Sequence, residues 1–126
     1  MNAALALAGS LGIVGGLAHS VLGERYVIAP IFRRADIPAT PFGDAAFTKA
    51  MVRGFWHFFT AIAWTGAGVL LALAPGGVSG GAETIVRVIA VYSAVFAAVM
   101  LLTSRGRHPA WLLGFTVAAS AWWGTV

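Results

Sequence analysis

The sequence predicts an all-α fold: an integral membrane four-helix bundle forming a single domain over residues 1–126. Three observations carry this. Hydrophobic residues make up 60% of the chain and charged residues 10%, against roughly a quarter charged in soluble domains, so there is too little polar surface to cover a globule in water. The apolar residues gather in four runs, about 3–22, 47–74, 82–102 and 109–124. The basic residues lie in the connections beside those runs, as membrane loops require. The net charge of +4 therefore reflects topology, and no nucleic-acid partner is expected. The chain has no cysteine, which excludes disulfides, thiolate metal sites and cysteine nucleophiles.

The first run has no charge between Ala3 and Leu22. About 20 residues at ~1.5 Å each match a hydrocarbon core of ~30 Å. No Lys or Arg precedes the run, and Ala18-His19-Ser20 is a poor cleavage site, so a retained span is expected rather than a signal peptide. Small residues recur every four positions at Ala4, Ala8, Gly12, Gly16 and Ser20, a row that admits another helix backbone. Glu24 continues that row. Gly15, His19 and Gly23 form the adjacent one. His19 and Glu24 are both expected to face protein, although five residues separate them by roughly 140° around a helix.

From Tyr26 to Phe47 a loop is expected, because Pro30, Pro38 and Pro41 interrupt helices. Its apolar start, Tyr26 to Phe32, either prolongs the first helix or lies in the membrane interface. Asp44 suits the N-cap of the second span.

The second run carries Lys49 and Arg53 in its first two turns. Arg53 and His57 are four apart and share a face. Trp56, Phe58 and Phe59 form an aromatic collar of headgroup type, and Gly54, Ala61 and Gly68 offer a small-residue seam. Pro75 to Gly81 is an uncharged turn. The third run opens with Glu83 and Arg87 at the favoured i,i+4 spacing, Arg87 being expected to snorkel to the water. The fourth starts at Pro109, a good first helical residue, and is barely a span at roughly 24 Å. Trp111 at one end and Trp122-Trp123 at the other mark its interfaces.

Orientation follows from the charges. Arg25, Arg33, Arg34, Lys49, Arg53, Arg105 and Arg107 fall on one side and Arg87 alone on the other. By the positive-inside rule the first side is cytoplasmic. The protein is expected in a bacterial inner membrane as a multi-pass chain with both termini on the periplasmic side.

His19, Glu24, Arg25, Arg53 and His57 form a polar cluster at the cytoplasmic end of the first two spans. Ionisable groups in a membrane are costly, so they pair or mark a pathway; a Glu24–Arg53 pair is one expectation. Arg33 and Arg34, with Arg25 and Arg53, form an anionic-lipid contact or serve topology alone. The histidines leave several readings open. His19, His57 and His108, with Glu24, have the ligand types of a zinc site. His19 and His57 alone suit axial ligation of haem. Hydrogen bonding across helices and proton handling are the others. Haem or a transition metal is thus a possible cofactor. No phosphate loop, HExxH or GxSxG occurs, and the serines lack an arranged base and acid, so no enzyme activity is expected.

The motifs His19-Ser20-Val21-Leu22-Gly23-Glu24 and Arg53-Gly54-Phe55-Trp56-His57 resemble those of a group of uncharacterised small bacterial inner-membrane proteins with four predicted spans. The resemblance implies a shared four-helix fold and a shared site near the cytoplasmic face, and brings no activity or cofactor with it. The leading functional expectation is a non-enzymatic membrane protein acting as an oligomer or as an accessory subunit of a larger complex, surrounded by membrane lipid. A haem- or metal-binding protein using His19 and His57 is the alternative, and a small channel or transporter the third.

Overall fold

The computed structural model describes residues 1–34 and 36–126; the side chain of Arg34, and with it the expected Arg34 lipid contact, lies outside the described part. The fold is all-α. The helices are α1 (Ala3–Gly23), α2 (Ala29–Arg34), α3 (Ala45–Leu73), α4 (Gly81–Ser104) and α5 (Ala110–Trp123), with a π-helical turn, Glu24–Ile28, between α1 and α2. Among the described residues the only β-type pairing is one isolated bridge, Thr40 to Gly43.

Three helical stretches are long and apolar enough to cross a membrane: Ala3–Arg33, Ala45–Leu73 and Gly81–Ser104. In the most apolar window of each, only 22%, 17% and 17% of residues are buried within the chain. Most of their apolar side chains therefore face outward, which in water would leave far more exposed hydrocarbon than a soluble monomer carries. Helix α5 has 14 residues, about 21 Å, and falls short of that length.

Of the two alternatives for the apolar start of the expected loop, Tyr26 to Phe32, the prolonged first helix is the one found, so the loop itself begins later than Tyr26. Helix continues through the π turn and α2 to Arg34. The N–H of Ala29 bonds the Glu24 carbonyl, five residues back, and Pro30 follows at once. Its missing N–H thus falls where the ladder is already changing step, not inside a regular α-helical run. Asp44 caps α3 as expected, its Oδ1 accepting from the Phe47 N–H at 2.8 Å.

The chain divides into two compact units, Met1–Gly15 with Trp64–Val126, and Gly16–Ala63. In the first, the core joins Leu5, Ala8, Leu70, Ala74, Val86, Ala90, Val117 and Ala121. Half of these are alanine, so helix backbones meet closely and dispersion between small side chains holds them. Gly114 of α5 lies against Ala97 and the Ser93 carbonyl of α4. The small residues of α1 are used in the same way: Gly9 lies on Ala67 and Leu71, Gly12 on Ala67 and Gly15 on Leu113. Gly12, on the small-residue row that the sequence offers for association, is thus covered by the chain's own α3.

Asn2 fastens this unit. Its N–H donates to the Ala74 carbonyl at 2.7 Å, its Nδ2 to the Gly124 carbonyl at 2.7 Å, and its Oδ1 caps α1 by accepting from the Leu5 N–H at 3.2 Å. Arg87 does not simply snorkel. It pairs with Glu83 at 2.5 Å, reaches the Thr125 hydroxyl at 3.4 Å and lies over the Trp122 ring. Helix α4 ends on Arg105 in the left-handed conformation (φ 52°). The Gly106 N–H then closes back on the Leu101 carbonyl at 2.9 Å, a C-terminal cap of the Schellman type.

Candidate functional site

The second unit, Gly16–Ala63, holds the end of α1, the π turn, α2 and the start of α3. Here α1 and the π turn run antiparallel to α3 with polar residues four apart on each side: Ser20 of α1 and Glu24 of the π turn on one, Arg53 and His57 of α3 on the other. Four-residue spacing keeps each pair on one face, and antiparallel register sets Glu24 opposite Arg53 and Ser20 opposite His57.

The first rung is a two-pronged ion pair. Arg53 Nη2 meets Glu24 Oε1 at 2.9 Å, and Arg53 Nε donates to Oε2 at 3.1 Å. Such fork-to-carboxylate geometry is the strongest form of the pair. The second rung is His57 Nδ1 against the Ser20 hydroxyl at 2.5 Å. The other ring nitrogen, Nε2, lies 3.4 Å from Glu24 Oε2. His57 thus bridges a hydroxyl and a carboxylate. With the imidazole neutral, Nε2 carries the proton toward Glu24 and Nδ1 accepts from Ser20. Thr60, one turn further along α3, is buried, and its hydroxyl has no partner among the described residues.

Trp56 braces the pair from the side. Its indole stacks on the His19 ring, centroids 4.5 Å apart and planes 8° apart, and its Nε1 donates to the His19 carbonyl at 3.2 Å. The same indole covers Gly23, where a Cβ would collide with it. That contact explains the glycine within the first motif. Lys49 Nζ donates to the Phe32 carbonyl at 3.2 Å, and the Arg53 guanidinium lies over the Phe32 ring, so α2 is held against the same end of α3.

The structure brings Glu24, Arg53 and His57 together, sets His19 on Trp56, and places Arg25 elsewhere. Arg25 lies over the Tyr26 ring at 5.5 Å, and no ion pair among the described residues joins it to Glu24. Arg33 is exposed. His108 caps α5, its Nδ1 accepting from the Ala110 N–H at 3.2 Å. Among the described residues no group of three or more His, Asp or Glu stands together as metal ligands do. Haem or metal ligation by His57 would have to displace either Ser20 or Glu24.

One residue of the site was missed: Ser20, expected to lack a base and an acid. Its hydroxyl stands 2.5 Å from His57 Nδ1, and the other nitrogen of that ring lies 3.4 Å from Glu24. The signal was present in the spacing, because Ser20 and Glu24 repeat the four-residue interval of Arg53 and His57.

Compared with protein-family models, with curated proteins and with solved structures, the chain finds no match in any of the three.

Proposed function

We propose that this chain is a multi-pass protein of a bacterial inner membrane that acts through contacts between its helices and those of other subunits, as an oligomer or as an accessory subunit of a larger complex. One observation carries the reading. Gly9, Gly12, Gly15 and Gly23 of α1 are covered from within, whereas at Gly54 and Gly68 of α3 no neighbouring atom among the described residues, the helix's own backbone aside, lies within 4 Å of where a Cβ would stand. Beside Gly54 lies an apolar groove of about 310 Å³, lined by Ala50, Met51, Gly54, Phe55 and Phe58. Open glycines on a long apolar helix are where a second backbone approaches closely, since lipid gives no hydrophobic drive and packing must supply it.

In this reading the chain belongs with the small four-span bacterial proteins whose motifs it resembles. All four apolar helices enter the membrane, α5 matching it with local thinning at its tryptophan ends. The basic connections lie in the cytoplasm, both termini lie outside, and Arg33 meets anionic headgroups. Purification in a mild detergent tests the proposal. A defined species above the monomer mass, or a stoichiometric membrane partner, is expected. A strictly monomeric chain with nothing copurified overturns it.

A further inference from the structure

Beyond that reading, we propose that Ser20 is a nucleophilic serine, with His57 as its general base and Glu24 as the residue that positions His57, and that the site takes an acyl ester carried by an apolar molecule of the membrane. The geometry is the argument. Four helical hydroxyls, those of Ser93, Thr103, Ser104 and Thr116, each turn back on the carbonyl four residues earlier. Ser20 instead meets an imidazole at 2.5 Å. That imidazole is held on its far side by a carboxylate at 3.4 Å, and the carboxylate is held by both prongs of Arg53. Nucleophile, base and orienting acid in series are what activates a serine, recognised by roles and not by chain position. The two ring nitrogens are exchanged relative to the usual order, which leaves the roles unchanged. The helix surface around the site carries exposed Leu17, Val21 and Phe58, so an acyl chain, not a sugar or a peptide, fits beside it.

In the reaction, Ser20 Oγ forms a bond to the ester carbonyl carbon while its proton passes to His57 Nδ1. The tetrahedral adduct collapses, the ester C–O bond breaks, and the leaving alcohol takes the proton from His57. Water then attacks the acyl-Ser20, giving its proton to His57; the acyl–Oγ bond breaks, Ser20 recovers a proton, and a carboxylic acid departs. Backbone N–H groups around Ser20 are committed to the helical ladder, so none is free to hold the oxyanion. Turnover is therefore slow, and covalent labelling is the readout.

The test is an alkyl fluorophosphonate applied to the purified full-length protein in mild detergent, with adducts located by mass spectrometry. Phosphonylation on Ser20 is expected, absent in Ser20→Ala and slowed by about 100-fold or more in His57→Gln. Glu24→Gln should slow labelling in a variant that circular dichroism shows to be folded, and Glu24→Asp should recover part of the rate; a merely structural Glu24 would leave the rate of the folded variants unchanged. No adduct on Ser20 in the folded wild-type protein overturns the proposal without recourse to any variant. So does a labelling rate that His57→Gln leaves unchanged, with circular dichroism showing the variant folded.

Discussion

Arg53 grips Glu24 with two bonds, 2.9 Å to Oε1 and 3.1 Å to Oε2, one turn from the contact between Ser20 and His57. The pair is part exposed, with side-chain accessibilities of 46% for Arg53 and 34% for Glu24, so its strength depends on what surrounds it. Water would screen it to almost nothing. In a headgroup region its partners are harder to replace, and breaking one leaves a charge that must be solvated. A double-mutant cycle on Glu24→Gln and Arg53→Gln, read by thermal unfolding in detergent, is expected to give a favourable coupling between the two residues. Arg53→Lys should recover only part of it, because an ammonium cannot reproduce the fork.

Gly23 is the tightest point of the same helix pair. Added carbon there meets three atoms of the Trp56 indole at once, and the indole is fixed by its stack on His19 and its bond to the His19 carbonyl. It cannot swing aside without losing both. Gly23→Ala is expected to destabilise the protein by roughly 1–3 kcal/mol. The indole fluorescence should change with it. Trp56→Phe in the Gly23→Ala background should recover part of the loss, because the smaller ring leaves room.

The fold class was legible because it rests on composition and run length, which a membrane reads directly. The Glu24–Arg53 rung was legible for a related reason: two opposite charges beside apolar runs have few other partners. Ser20 was not. A hydroxyl on a helix normally returns its proton to its own backbone, and nothing in one sequence says that a histidine 37 residues away will stand in its path. The helix beyond Tyr26 was half legible. Pro30 reads as a breaker, and only the π turn ahead of it shows how the chain keeps its course. Asn2 was passed over, though an Asn before an uncharged apolar run is the ordinary N-cap signal.

Asn2 uses its N–H, its amide nitrogen and its amide oxygen in three separate bonds. Two of these go to carbonyls near the ends of α3 and α5. Replacing it with alanine keeps the backbone bond to Ala74 and removes the other two. The cap is worth about 1 kcal/mol, and the bond to Gly124 a similar amount. Asn2→Ala should therefore lower stability by roughly 2 kcal/mol. Asn2→Asp keeps the cap but loses the donor to Gly124, and should fall between.

Arg105 sits at φ 52°, a conformation that costs a residue with a Cβ roughly 1 kcal/mol or more. Its N–H is bonded to Leu102 at 3.2 Å, a bond that any residue except proline keeps. Arg105→Gly is expected to relieve the backbone and raise stability by up to about 1 kcal/mol, less what the freer unfolded chain takes back. A rise in Tm in detergent would show it. A fall would mean that the Arg105 side chain contributes more than its backbone costs.

Glycines on α1 and α3 should respond in opposite ways to the same change. At Gly12 a Cβ would already stand 2.8 Å from the Ala67 Cβ, so Gly12→Leu forces two helices of one unit apart. That is expected to cost several kcal/mol or abolish folding, since overpacking of a closed contact has nowhere to relax. At Gly54 and Gly68 no neighbouring atom among the described residues, the helix's own backbone aside, lies within 4 Å of a Cβ. A Cβ at either position presses on no neighbouring element among the described residues, and in a helix leucine is favoured over glycine by several tenths of a kcal/mol. The monomer should then be as stable as before, or slightly more so. If α3 is the face that meets another subunit, Gly54→Leu and Gly68→Leu will nonetheless shift the mass distribution in mild detergent toward monomer, or release a copurifying partner. Unfolding and association, measured on the same preparations, separate the two effects. Unchanged association in both α3 variants would mean that this helix faces only lipid.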